Sequence, residues 1–162
     1  MTYLPYPEDR YRGDTGEASA RLRSADAAPD VSNPSGTTVH YLATGASTDG
    51  QLGLYRWEMG PGRGGPDPHF HRSITESFYV LSGTIRLHDG TDWVDGRSGD
   101  FLYVPQGGVH GFRNESGEPA SMLILFTPGA PREDYFERVH TVGEMSPEDR
   151  DEFFRRHDTF WV

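Results

Sequence analysis

The sequence predicts one all-β domain, an antiparallel sandwich or barrel. Short segments rich in β-branched and aromatic residues recur along the chain, each bounded by turn formers drawn from 20 glycines and 12 prolines. No long central segment carries a helical period. A chain of 162 residues fits one domain and buries a substantial core.

Residues 1–36 read as an arm outside the core. Met1 to Arg12 is rich in tyrosine and proline. From Gly13 to Gly36 the only large apolar residues are Leu22 and Val31, too few to hold an independent fold. Two readings remain open for this arm: a loosely draped segment, or an arm exchanged with a second subunit.

Residues 37–128 form the expected β domain. Thr37 to Ala43 and Leu52 to Met59 are strand-like runs bounded by glycine. Gly64-Gly65-Pro66-Asp67-Pro68 is a rigid turn, so a strand starts at His69. Ser77 to Leu81 opens another strand. Val80 to His88 and Thr91 to Val94 flank Asp89-Gly90, a two-residue hairpin signal. Phe101 to Val104 is a continuous apolar run, expected as a strand buried on both faces. Ser121 to Phe126 is another such run, and Val109 to Phe112 completes the set.

Residues 129–162 form a helical tail. Pro131 to His140 places Tyr135, Phe136 and Val139 on one side. Ser146-Pro147-Glu148-Asp149 starts a second helix, with a serine cap, proline in the first helical position and acids in the first turn. Arg155 and Arg156 stand near its end. Phe153, Phe154, Phe160 and Trp161 are expected to pack this tail on the barrel as a lid without a chemical part.

Composition excludes several chemistries. The net charge of −10 argues against nucleic acid and anionic membrane surfaces as partners. All 15 basic residues are arginine, so no lysine of this chain forms a Schiff base. Without cysteine there are no disulfides, thiolate nucleophiles or iron–sulfur ligands. The N-terminus MTYLPYPEDRYRGD has no apolar core segment, so neither secretory signal nor membrane span is expected there, and a cytoplasmic location is.

The chemistry-bearing residues cluster. His69 and His71 sit at strand spacing, which turns both imidazoles to the same face. Glu76 stands at the mouth of the next strand and His110 in a later one. Three imidazoles and one carboxylate suit a borderline divalent metal and leave positions open for water or substrate. Glu58 and Asp67 are not expected to be ligands, Asp67 lying in a Pro-Asp-Pro turn that satisfies backbone amides. Asn114 is read as support for the turn Asn114-Glu115-Ser116-Gly117. His40, His88, His140 and His157 match no ligand spacing.

Two blocks carry a family resemblance. From Gly64 to Gly83 the chain shows His-x-His, then Glu76, then Gly83 after six intervening residues. From Gly99 to Asn114 it shows Gly99, Pro105, Gly107, His110 and Asn114. Both resemble the two conserved motifs of the cupin superfamily, and the resemblance runs from about Gly50 to Pro128. One position departs: Arg63 stands where the family has its leading glycine, flanked by Gly62 and Gly64. The resemblance implies a jelly-roll β-barrel and one divalent transition metal (Fe, Mn, Ni, Co, Cu or Zn) on His69, His71, Glu76 and His110.

Strand parity places Phe78 and Val80 on the face of Glu76 and Phe112 on that of His110. With Trp57 and Tyr103 they are the expected walls of a dry substrate pocket. The layout of barrel and helical tail resembles bacterial quercetin dioxygenase-type cupins. It implies an oxygenase taking a small phenolic or enol-type substrate and O₂, with Glu76 as both ligand and proton acceptor. Two alternatives stand beside it: a Lewis-acid cyclase or isomerase, and a non-catalytic small-ligand binder. A homodimer is expected.

Overall fold

The structure, a computed structural model, describes residues 3–162. Met1 and Thr2, the first residues of the expected arm, lie outside the described residues. Strands β1 (Val31–Ser32), β2 (Thr38–Ala43), β3 (Gly53–Met59), β4 (His69–Phe70), β5 (Thr75–Ser82), β6 (Thr84–His88), β7 (Trp93–Arg97), β8 (Phe101–Val104), β9 (Gly111–Arg113) and β10 (Ala120–Thr127) follow one another. The tail holds helix α1 (Glu133–Arg138), a 3₁₀ segment (Val139–Glu144), helix α2 (Pro147–Arg156) and strand β11 (Phe160–Trp161). No helix among the described residues is long and apolar enough to cross a membrane.

The six-stranded sheet runs β1-β2-β3-β10-β5-β8, and a three-stranded sheet runs β7-β6-β9. Strands β3 and β10 alternate strictly, burying Tyr55, Trp57 and Met59 from one and Ala120, Met122, Ile124 and Phe126 from the other. Those side chains meet Ile85 and Leu87 of β6 and Phe112 of β9 in one apolar cluster. The Trp57 and Phe112 rings, one from each sheet, lie edge to face with centroids 5.9 Å apart. Gly83 (φ 73°) turns the chain from β5 into β6 and so from one sheet to the other. A Cβ there would stand 2.6 Å from the Pro119 carbonyl oxygen, so the turn admits only glycine.

Four expectations change. The all-β class is as expected, but the barrel is not closed: among the described residues no ladder joins the two larger sheets, and isolated bridges Gly64–Asn114 and His69–His110 stand beside a two-stranded pair, β11-β4. The arm ends earlier than residue 36, because Val31 is buried and pairs with Val39. The β6–β7 turn spans four residues, since His88 pairs with Trp93. The Asp89 carboxylate there accepts from the Thr91 and Asp92 amides, closing a wider loop than the Asp-Gly pair suggests. Strand β8 is not buried on both faces. It is the sheet edge, and Phe101 is 62% exposed.

Candidate metal centre

The backbone brings the two motifs together. His69 and His110 exchange both amide-to-carbonyl bonds at 2.9 Å, so the first strand of one motif is stitched to the second motif. The Gly107 amide donates to the His71 carbonyl at 2.7 Å. Gly65 passes so close to Phe112 that a Cβ would overlap its carbonyl oxygen, a contact only glycine permits. Asn114, fully buried, donates to the Gly60 and Glu118 carbonyls and accepts from Ser116, so it holds the turn as expected and ties it to Gly60.

His69, His71, Glu76 and His110 are all buried, and one ligand atom from each lies within 4.8 Å of the others. Glu76 Oε2 stands 2.9 Å from His71 Nε2 and 2.7 Å from His110 Nε2. Bonds of about 2.0–2.2 Å to one ion place ligand atoms roughly 3 Å apart at right angles and roughly 4.2 Å apart across it. The two Glu76 distances match the shorter spacing, and all four ligand atoms fit within 4.8 Å.

The donor chemistry fits a cation as well. Each imidazole directs Nδ1 at a backbone carbonyl: His69 at Asp67 (2.8 Å), His71 at Asp158 (2.5 Å) and His110 at Gly108 (3.0 Å). A carbonyl only accepts, so each Nδ1 carries the hydrogen and each neutral ring offers its Nε2 lone pair inward. Lone pairs then face a carboxylate, an arrangement that a shared cation, or a proton on one imidazole, makes attractive. The pKa directions express the same tension. Desolvation works to raise Glu76, yet His110 and His71 hold its carboxyl well below the usual carboxylate range. Desolvation opposes charge on His110, yet Glu76 outweighs it and lifts that pKa above the ordinary histidine value. Burial, then the charge of His110, pushes His69 down to about 3. The residues therefore fit one divalent ion.

A cavity of about 420 Å³ opens onto this cluster. Trp57 and Phe112 line it, together with His69 and Glu76. The other three expected wall residues do not. Phe78 lies behind the ligands, its ring 5.9 Å from that of His110. Val80 is buried between the sheets. Tyr103 is 56% exposed, because β8 pairs Tyr103 with Ser77 and turns it to the outer face while Val104 faces inward opposite Glu76. Neither Glu58 nor Asp67 joins the cluster. The Asp67 carboxylate pairs with Arg113 instead of backbone amides.

The tail takes part in the site, contrary to its expected role as a lid. Strand β11 pairs Trp161 with His69. Asp158 follows α2 at the position where a left-handed glycine is usual, and it adopts φ 54° itself. Its carboxylate accepts from the Arg72 and Ser73 amides and the Ser73 hydroxyl at 2.7–3.1 Å, while its carbonyl accepts from His71. This clamp fixes the turn between two ligands. The signal available in the sequence was an aspartate just past the end of a capped helix. Arg132, Tyr135 and His140 of the tail also line the cavity, and no spacing rule singled them out.

The comparisons agree with this geometry. A family model for the cupin domain matches residues 55–126. Quercetin 2,3-dioxygenase of Bacillus subtilis is 34% identical over 93 residues, 54% of this chain; the match covers 26% of that relative, so the chain spans about a quarter of its length. Among solved structures, KdgF from Halomonas superposes with a TM-score of 0.60 at 17% identity, over 70% of this chain and 97% of that one. A sugar phosphate isomerase of the cupin superfamily from Silicibacter pomeroyi gives 0.50 at 26% identity, over 57% and 59%. With both motifs folded onto one buried cluster, residues 55–126 of the chain carry a cupin domain.

Proposed function

We propose that the chain is a metal-dependent enzyme, a dioxygenase acting on a small phenolic or enol-type substrate. The observation that supports this best is the convergence of His69, His71, Glu76 and His110 in one buried cluster, of which His69 and Glu76 line an aromatic cavity. A divalent transition ion bound there supplies a Lewis acid and, when redox-active, a route for electrons to O₂. The chain's own residues do the rest. Trp57 and Phe112 hold a planar substrate and exclude water. Glu76 accepts the proton that the substrate hydroxyl loses; the other acid lining the cavity, Asp67, is engaged by Arg113. The Nδ1 bonds keep the three imidazoles from taking that proton on their outer nitrogens. The likeness to quercetin 2,3-dioxygenase supports the reaction class.

The test pairs elemental analysis of protein purified without added metal with oxygen consumption across a panel of phenols. Glu76→Gln keeps most of the metal on three histidines and loses turnover by about 100-fold, the loss typical of a missing general base. Full metal with a near-normal rate would leave Glu76 a ligand only.

A second reading is an isomerase or cyclase that uses the ion as a Lewis acid alone. The likeness to a sugar phosphate isomerase favours it. Turnover under anaerobic conditions selects this reading over the dioxygenase.

A further inference from the structure

Arg132 stands apart from the other basic residues. It is the one arginine among the buried polar residues described, at 4% exposure. It lines the same cavity as His69 and Glu76. Its Nη1 donates to the His157 carbonyl at 2.5 Å, and its Nε is buried with no hydrogen-bond partner. Aromatic rings surround the guanidinium, with Tyr135 at 4.3 Å and Phe126 at 5.2 Å from its carbon to their centroids. Among the described residues no carboxylate forms an ion pair with it, whereas Arg113 and Arg56 both have one. Desolvation accordingly lowers its pKa.

A buried guanidinium with an idle donor is costly unless something pairs with it. Glu76 does not serve, because its carboxylate is held by His71 and His110. The charge balance of the loaded cavity sharpens this. Three neutral imidazoles and one carboxylate leave a divalent ion with one net positive charge. Arg132 adds a second. A phenolate or enolate oxygen answers the first charge, and the second calls for another anionic group on the same ligand. With Nη1 committed to His157, Nε and Nη2 are the donors left, and a guanidinium edge of two donors matches the two oxygens of a carboxylate.

We propose that Arg132 is the carboxylate-binding residue of this cavity, and that the substrate is a phenolic or enolic carboxylic acid. Its acid group sits on the guanidinium while its hydroxyl oxygen faces His69, His71, Glu76 and His110. This deepens the function proposed above and rests on it for the second half of the contact.

Trp57 and Trp161 both line the cavity, so ligand binding is read from tryptophan fluorescence. The zinc-loaded protein is titrated with benzoate, 4-hydroxybenzoate and phenylacetate, each against its own carboxamide. The acids bind about 10-fold or more tighter than the amides, the factor expected for a charge-assisted pair. In Arg132→Gln that ratio falls to near one while the amides bind as before, an outcome that loss of a merely structural tether does not give. Arg132→Lys retains part of the preference, and it decides the matter should Arg132→Gln not fold. Equal binding of acid and amide by the natural sequence, failure of every acid to bind at millimolar concentration, or a preference that survives Arg132→Gln would each overturn the assignment. The last outcome would place the acid on the ion. Repeating the titration after chelation separates the two proposals. The preference persists without metal if Arg132 carries it, and its loss on chelation also overturns the assignment. A protein that takes up no metal but keeps an Arg132-dependent preference removes the metal reading alone.

Discussion

The two ends of the chain are both aromatic, yet only one of them folds onto the domain. In the arm, Tyr3, Leu4 and Tyr6 are almost wholly exposed. In the tail, Tyr135, Phe136 and Phe153 join the central apolar cluster, and the Tyr55 hydroxyl reaches Glu133 at 2.6 Å. Apolar content does not make the difference. Pro5 and Pro7 remove amide donors from the arm and block a helix, and its tyrosines follow no period. The tail carries its aromatics in helices, Tyr135 and Phe136 in α1 and Phe153 and Phe154 in α2, and caps the second with Ser146, which accepts from the Asp149 amide. A regular element lets several rings reach the core together, so the ordering cost is shared among them.

This contrast predicts unequal responses at the two ends. Phe153, buried and stacked on Tyr135, is a structural residue of the domain. Phe153→Ala is expected to cost about 3 kcal/mol, read from denaturant unfolding. A loss under about 1 kcal/mol would mean that the tail packs no more firmly than the arm. Asp158→Gly sharpens the comparison at the site. Glycine keeps the left-handed backbone and its carbonyl, so the variant removes only the carboxylate that holds Arg72 and Ser73. It is expected to lower stability by about 1–2 kcal/mol and zinc affinity by about 10-fold, because His71 loses its fixed position. Unchanged affinity would confine the tail to packing. Deleting residues 1–12 is the smallest perturbation. Stability is expected to change by less than about 0.5 kcal/mol with metal content unaltered. Light scattering at micromolar concentration tests the arm's expected exchange between subunits: the full chain runs as a dimer and the truncated chain as a monomer, and equal masses would contradict it.

Much of the sheet was legible because its signals are local. A glycine-bounded run of β-branched and aromatic residues marked β3, a continuous apolar run marked β10, and glycine marked the turns on either side of β5. The four ligand candidates were legible from spacing, since strand parity sets the direction of His69 and His71 and the motif supplies the distance to His110. What escaped depended on tertiary neighbours. Phe101 and Tyr103 read as buried because a continuous apolar run does not reveal that its strand lies at an edge. Val80 shares the face of Glu76 but sits deeper than the cavity floor, a difference parity cannot register. Arg132 and Asp158 lie 56 and 82 residues after Glu76 in the chain. Asp158 reaches the site because the tail returns to pair β11 with β4, and Arg132 lines the cavity just after β10 ends.

The central claim is that four side chains from two motifs hold one divalent ion, with the tail steadying His71. The most direct measurement is metal stoichiometry in matched preparations of the natural sequence and His71→Ala, alongside their circular dichroism. One ion per chain is predicted for the first. Loss of most of that metal is predicted for the second, with the β spectrum retained, because the apolar cluster between the sheets is built by other residues. Equal metal content in two folded proteins would contradict the site.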